Sequence, residues 1–343
     1  MNNIETYRNI MSANPKIDKN YLSHILKHYV ETVDITEVIE TNTAMVIKID
    51  TPVKKLFIKT SKRNHRENSY HEMSMKEGMF YKTIRDAKAE ELPIPTCYDV
   101  FVSEETGEFV IVLEDISSCY AAPSGKVLTD ENVWFSCAES LAKLHAAFWN
   151  YFLVSQNDES EENDAEGDRA CLQSFLYDFR DKFDDKTKTI LNNAMEINIS
   201  LIESTSDRLR EKRNVTLCNG DSHIYNFMLP VERSYSPLIV DFQFWHEGMG
   251  TGDLAHLTRV NFSEQQKKDI QLPLAEHYHK SLIKYGVTDY SWENCLRDYR
   301  TSVASMVLIP LWQYAGFGLK YEEWSNDLQG LIDNYEYMNC DEL

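Results

Sequence analysis

The sequence predicts a mixed α+β protein, and two observations carry that reading: the period of the apolar residues changes along the chain, and strand-like segments give way to helical ones near residues 115–123. In the first third, short apolar or alternating runs at 33–39, 44–49, 54–59, 98–102 and 109–113 read as strands. Asp50-Thr51-Pro52 and Thr106-Gly107 supply turns between neighbours. One helix, 67–87, interrupts them, and from Asp18 the residues Tyr21, Leu22, Ile25, Leu26, Tyr29 and Val30 recur at the spacing of a helix face. The Ser, Ala and Pro around 115–123 mark the change, so the predicted division is 1–116 and 117–343.

Beyond that boundary the pattern is helical. Phe135, Ala138, Leu141, Ala142, Leu144, His145 and Phe148 place a buried helix at 131–152, with His145 packed inside it. Further helices are expected at 172–182, 186–209, 265–285, 292–314 and 321–337. The acid-rich stretch 157–168 has little to bury and reads as a solvated loop.

Composition narrows the function classes. The 343 residues hold 35 basic against 55 acidic side chains, a formal net charge of -20, which opposes binding to nucleic acid or an anionic membrane. Neither a signal sequence nor an apolar run of roughly 18 residues is present, so a cytoplasmic protein is expected. The seven cysteines are scattered, with no Cys-x-x-Cys pair, and are expected to be reduced and mostly buried. His24 and His28 stand at i, i+4 but lack a third ligand, and no Gly-x-Ser-x-Gly or Gly-x-Gly-x-x-Gly pattern occurs.

The chemistry-bearing segment is Asn219-Gly220-Asp221-Ser222-His223-Ile224-Tyr225-Asn226, followed by the apolar run Pro237-Leu238-Ile239-Val240 and then Asp241-Phe242-Gln243. An acid, an amide and a second acid in this order are what phosphoryl transfer from a magnesium nucleotide asks for. Asp221, in a Gly-Asp turn, is the candidate catalytic base for an attacking hydroxyl. Asn226 and Asp241 are the candidate magnesium ligands, both offering hard oxygen donors.

These residues resemble the His-Gly-Asp-x4-Asn and Asp-Phe-Gly pair of the aminoglycoside phosphotransferase and choline kinase superfamily. With Leu141-Ala142-Lys143-Leu144-His145-Ala146-Ala147-Phe148-Trp149 upstream, the chain most resembles the ecdysteroid-kinase-like branch, over about residues 30 to 260. The resemblance implies a bilobal protein-kinase-like fold, with a nucleotide-binding lobe at 1–116 and a catalytic lobe with the acceptor cleft at 117–343. It implies that Lys59 pairs with the phosphates of ATP, that Glu77 of Glu77-Gly78-Met79-Phe80-Tyr81 is its carboxylate partner, and that Glu114 and Asp115 form the hinge met by adenine. It gives Asp253 the task of bracing the catalytic loop.

The chain departs from the family pattern in three places. Asn219 replaces the usual His, Gln243 replaces the glycine of Asp-Phe-Gly, and the phosphate loop offers Thr41, Asn42 and Thr43 in place of glycines. A small-molecule kinase using ATP and magnesium is the reading these residues imply, and a catalytically silent nucleotide-binding module is the alternative. A protein kinase fits less well, since no Ala-Pro-Glu segment follows Asp241. The expected partner is a small hydroxyl acceptor, with an amino sugar, an amino alcohol and a neutral sterol all open, and Trp245, His246 and Glu247 are candidates for its cleft.

Overall fold

In the computed structural model, which describes residues 34–40, 44–50, 55–61, 70–86, 91–103, 108–151, 164–232, 236–260 and 262–343, the strand-like runs of the first third pair into one antiparallel sheet. Its strands are β1 (Asp34–Glu40), β2 (Ala44–Asp50), β3 (Lys55–Ser61), β4 (Cys97–Ser103) and β5 (Glu108–Glu114), in the order β1-β2-β3-β5-β4. The helix expected from Asp18, the His24 and His28 pair and the Thr41 to Thr43 loop lie outside the described residues. Alternation along β3 buries Leu56, Ile58 and Thr60 and puts Phe57 and Lys59 on the other face. Lys59 stands opposite Ile111 of β5.

Helix α1 (Tyr70–Asp86) packs against β4 and β5, burying Glu77, Phe80, Tyr81 and Ile84. The approach is close at Gly78, where an added Cβ would stand 2.8 Å from Val102 Cγ2 and 3.0 Å from Phe109 Cβ. Glycine at this position lets the helix carrying Glu77 lie on the sheet.

The chain forms two compact units: Met1–Ala121 with Pro230–Glu232 and Val240–Trp245, and Ala122–Leu229 with Arg233–Ile239 and His246–Leu343. The segment around Asp241 therefore belongs with the sheet, although it lies far along the sequence. A short strand, β6 (Tyr120–Ala121), ends the first stretch of the first unit.

The second unit is mainly helical. Its helix α2 (Glu131–Ala147) starts at Asp130, whose side chain accepts from the backbone of Asn132. It ends five residues before the predicted stop, because Asn150 takes a left-handed backbone (φ 56) and exchanges hydrogen bonds with Val215. The next helix, α3 (Ala165–Asp178), begins inside the acid-rich stretch expected to be a loop; Asp164 caps it by accepting from Gly167. Acidic residues in its first turn suit the positive helix end.

Helix α4 (Asp185–Glu211) leads to β7 (Thr216–Cys218), and the short strands β8 (Phe227–Pro230), β9 (Leu238–Ile239) and β10 (His246–Gly248) follow. β7 pairs antiparallel with β10, and Phe227 and Met228 pair with Ile239 and Leu238. The remaining helices are α5 (Thr251–Leu257), α6 (Glu264–Lys284), α7 (Trp292–Met306), α8 (Ile309–Phe317) and α9 (Tyr321–Tyr337). The single helix predicted at 292–314 is thus two, and Pro310, lacking an amide hydrogen, sits in the first turn of the second. Helix α2 packs on α6, with Leu141, Leu144, Leu274 and Tyr278 buried. Cys137, Cys218, Cys295 and Cys340 are buried free thiols, and no described helix is long and apolar enough to cross a membrane.

Candidate active site

In the first unit, Lys59 Nζ lies 2.5 Å from Glu77 Oε2 and 3.4 Å from Asp241 Oδ1. Burial works to lower the proton affinity of the lysine, but the two carboxylates outweigh it and raise its pKa, so the ammonium is held charged. Burial also pushes the Glu77 carboxyl up against the pull of Lys59, with Asp241 adding repulsion. Glu77 and Asp241 thus both face the one ammonium. Asp241 is the more open of the pair, its side chain 32% exposed against 4% for Glu77.

Packing fixes this arrangement. Asp241 takes a left-handed backbone (φ 61), uncommon for a residue other than glycine. Its neighbour Phe242 is fully buried and stacks on Phe80, ring centroids 3.7 Å apart. Phe80 follows Glu77 by three positions on α1, so one helix face supplies both the carboxylate for Lys59 and the ring that holds the Asp241 turn. Trp245 contributes to the same packing: its indole N–H donates to Lys76 O, and its ring tilts against Phe80.

At the end of β5 the amide of Glu114 donates to Thr96 O and that of Asp115 to Lys55 O. Both N–H groups are engaged within the sheet. The Asp115 side chain accepts from the amide of Ser117, closing the turn that follows.

In the second unit, Asp253 organises the loop that carries Asp221. Its carboxylate accepts from the amides of Asn219 (2.7 Å) and Gly220 (2.9 Å), and its Oδ2 lies 3.1 Å from His145 Nε2. Its backbone carbonyl accepts from Ser222 Oγ. Burial alone would raise the Asp253 pKa; His145 and the two amides reverse that and hold it down at about 2. His145 is fully buried, with Nδ1 2.8 Å from Tyr278 OH, which is the packed histidine the sequence predicts. Gly250 keeps this space open, since a Cβ there would come within 2.5 Å of Tyr278 OH and 2.6 Å of His145 Nδ1.

Asn219, fully buried, accepts through Oδ1 from the amide of Asp221, so the residue that replaces the family histidine fastens the candidate base. Asn226 donates through Nδ2 to Asp221 O at 2.6 Å. With its nitrogen so used, the oxygen of that amide remains for a hard cation. Two residues near Asp221 have no counterpart in the sequence reading: His223 Nε2 lies 3.5 Å from Asp221 Oδ2 and His256 Nδ1 3.7 Å from Oδ1. Position gave a faint signal, since His256 follows Asp253 by three residues on one helix. His246 is exposed and paired with Cys218 across β7 and β10, and the Gln243 side-chain oxygen is buried without a hydrogen bond among the described residues.

An antiparallel sheet holding a Lys–Glu pair, and a helical unit presenting a braced Asp-x4-Asn loop, define the class of kinase-like phosphotransferases that act on small molecules. The ecdysteroid kinase-like family matches residues 18–286, and the chain belongs to that family. Among solved structures, a candidate aminoglycoside phosphotransferase from Ralstonia eutropha JMP134 is similar at TM-score 0.59 and 11% identity, over 94% of this chain and 98% of that one. Choline kinase LicA from Streptococcus pneumoniae is similar at TM-score 0.51 and 13% identity, over 92% and 98%. A thermostable mutant of aminoglycoside phosphotransferase APH(4)-Ia, in ternary complex with ADP and hygromycin B, is similar at TM-score 0.52 and 11% identity, over 94% and 98%. At such identities the likeness is one of fold. No curated protein sequence matches the chain.

Proposed function

We propose that the protein transfers the γ-phosphoryl group of ATP to a hydroxyl group of a small molecule in the cytoplasm. The observation that carries this reading is the Lys59, Glu77 and Asp241 ion set: a lysine kept cationic between carboxylates is a fixed charge for phosphate oxygens, and the partly exposed Asp241 beside it is a carboxylate of the kind a cation takes. Asp241 and Asn226 are the residues assigned to magnesium, and each carries an oxygen of the hard kind that this ion takes. When bound, it would neutralise charge on the phosphates.

Asp221 is the base. It takes the proton as the acceptor O–H bond breaks; the oxygen then bonds to the γ-phosphorus, and the bond from that phosphorus to ADP breaks. The loop is suited to this because Asn219, Gly220 and Ser222 are all tied to Asp253. Thr41, Asn42 and Thr43 are assigned to the phosphates and the Glu114 and Asp115 segment to the base of the nucleotide, where the sheet-bound amides direct contact to other atoms of the segment.

The test is ADP release by purified protein with magnesium and ATP across amino sugars, amino alcohols, sugars and sterols. Acceptor-dependent release, abolished by Asp221→Ala while ATP still binds, is the expected result. Substantial turnover by that variant would remove Asp221 from the role. Magnesium-dependent ATP binding with no transfer to any acceptor would favour a silent nucleotide-binding module instead.

A further inference from the structure

Asp221 is flanked by imidazoles on both oxygens, and the one on Oδ1 belongs to the helix that anchors the loop. Helix α5 places His256 three residues after Asp253, so a single helix face holds the loop backbone through one side chain and faces the carboxylate with the other. The His256 side chain is 17% exposed, and its Nδ1 is buried with no hydrogen bond among the described residues. A buried ring nitrogen in that state is unfavourable unless the group it faces completes it.

Burial decides how the ring is protonated, with neighbouring charges adding to it. Burial first, then Arg259, with His223 and His246 adding to it and Asp253 opposing, brings the His256 pKa down to about 3. The imidazole is therefore neutral around pH 7 and carries one N–H. A bare nitrogen lone pair turned to a carboxylate oxygen 3.7 Å away is repelled, whereas an N–H there is attracted. The separation is longer than a hydrogen bond, as is common for catalytic contacts that close only when substrates bind.

We propose that His256 is a positioning residue: its Nδ1–H holds Oδ1 of Asp221, fixing the rotation of the carboxylate so that the other oxygen receives the hydroxyl proton. His256 gains and loses no proton in the reaction. Its neutrality matters, because a cation there would draw the carboxylate's charge and weaken it as a base. The inference rests on Asp221 acting as the base of the proposed transfer.

Two measurements test it. Long-range ¹H–¹⁵N spectra of the folded wild-type protein report which nitrogen of His256 bears hydrogen; Nδ1–H is expected, and Nε2–H would overturn the proposal whether or not an acceptor is known. With an acceptor in hand, His256→Phe should lower kcat by about 10-fold or more with KM for ATP unchanged. His256→Asn, whose amide nitrogen stands near the Nδ1 position, should recover most of the loss. Wild-type kcat in His256→Phe, or equal loss in both variants, would overturn it. Should the wild-type protein transfer phosphate to nothing, the kinase reading is what fails, and the spectra still decide the tautomer.

Discussion

Glu77 is bound to Lys59 across 2.5 Å, with 4% of its side chain exposed and 16% of the lysine's. Neither charge is comfortable alone at that depth. Removing one partner of a buried pair strands the other, which costs about 3–5 kcal/mol. Lys59→Met should therefore lower the stability of the protein by about 3 kcal/mol in urea denaturation, since Asp241 and Glu77 are then left facing each other. Glu77→Gln should cost less, because Asp241 still neutralises the lysine. The ordering is the test: a Glu77→Gln protein less stable than Lys59→Met would mean that Asp241 does not share the charge.

Asp253 makes a second prediction, in acid. Its folded pKa of about 2 lies below the ordinary 3.8, so the carboxylate stabilises the fold. A group depressed in this way contributes fully above its unfolded value and loses that contribution as pH falls through its folded value. The window is thus from about pH 4 down to about pH 2, and the difference corresponds to about 2 kcal/mol. Asp253→Asn should be less stable than wild type by about that much at pH 7, and the gap should narrow as both are titrated through the window. A constant gap at every pH would assign the cost to lost shape instead of lost charge.

Gly78 links packing to the Lys59–Glu77 pair proposed to meet the nucleotide. An alanine methyl at this position meets Val102 and Phe109, and the Phe109 contact is to Cβ, which cannot swing aside. Gly78→Ala should cost about 1–3 kcal/mol by overpacking, and α1 should shift away from the sheet. Since Glu77 is the preceding residue, KM for ATP should rise as the pair with Lys59 is strained. A variant destabilised with no change in ATP affinity would uncouple the helix position from the ion pair.

Much of this was legible in the sequence because it is local. The five strands follow from short apolar runs bounded by turns, and three helices fall within two residues of their predicted ends at 186–209, 265–285 and 321–337, as does the start of 131–152. The failures occur where a distant contact decides the matter. Asn150 stops α2 by bonding to Val215, and an aspartate cap starts α3 within a stretch whose composition reads as solvated. The pairing of Lys59 with Glu77 was available only through family resemblance, and the imidazole of His256 only as a faint positional signal three residues after Asp253, since nothing in spacing shows that it returns to a residue 35 positions earlier.

Asn219 tests how far the family pattern transfers. Restoring the usual histidine there would, on pattern alone, be expected to improve the loop. The structure argues the opposite. Asn219 is fully buried, and its Oδ1 accepts from the amide of Asp221 at 3.2 Å while its own amide donates to Asp253. An imidazole is larger than the amide it replaces and must push on closed surroundings, at a cost of about 1–3 kcal/mol. The acceptor fixing the Asp221 amide is also moved, so the proposed base loses a restraint. Asn219→His should be less stable than wild type and should turn over more slowly with KM for ATP unchanged, while Asn219→Asp, which keeps an oxygen in the same place, should retain the loop's geometry better. Thermal unfolding and acceptor-dependent ADP release on the three proteins decide it; a histidine variant as stable as wild type and faster would show that the asparagine is a loss the surrounding structure never compensated.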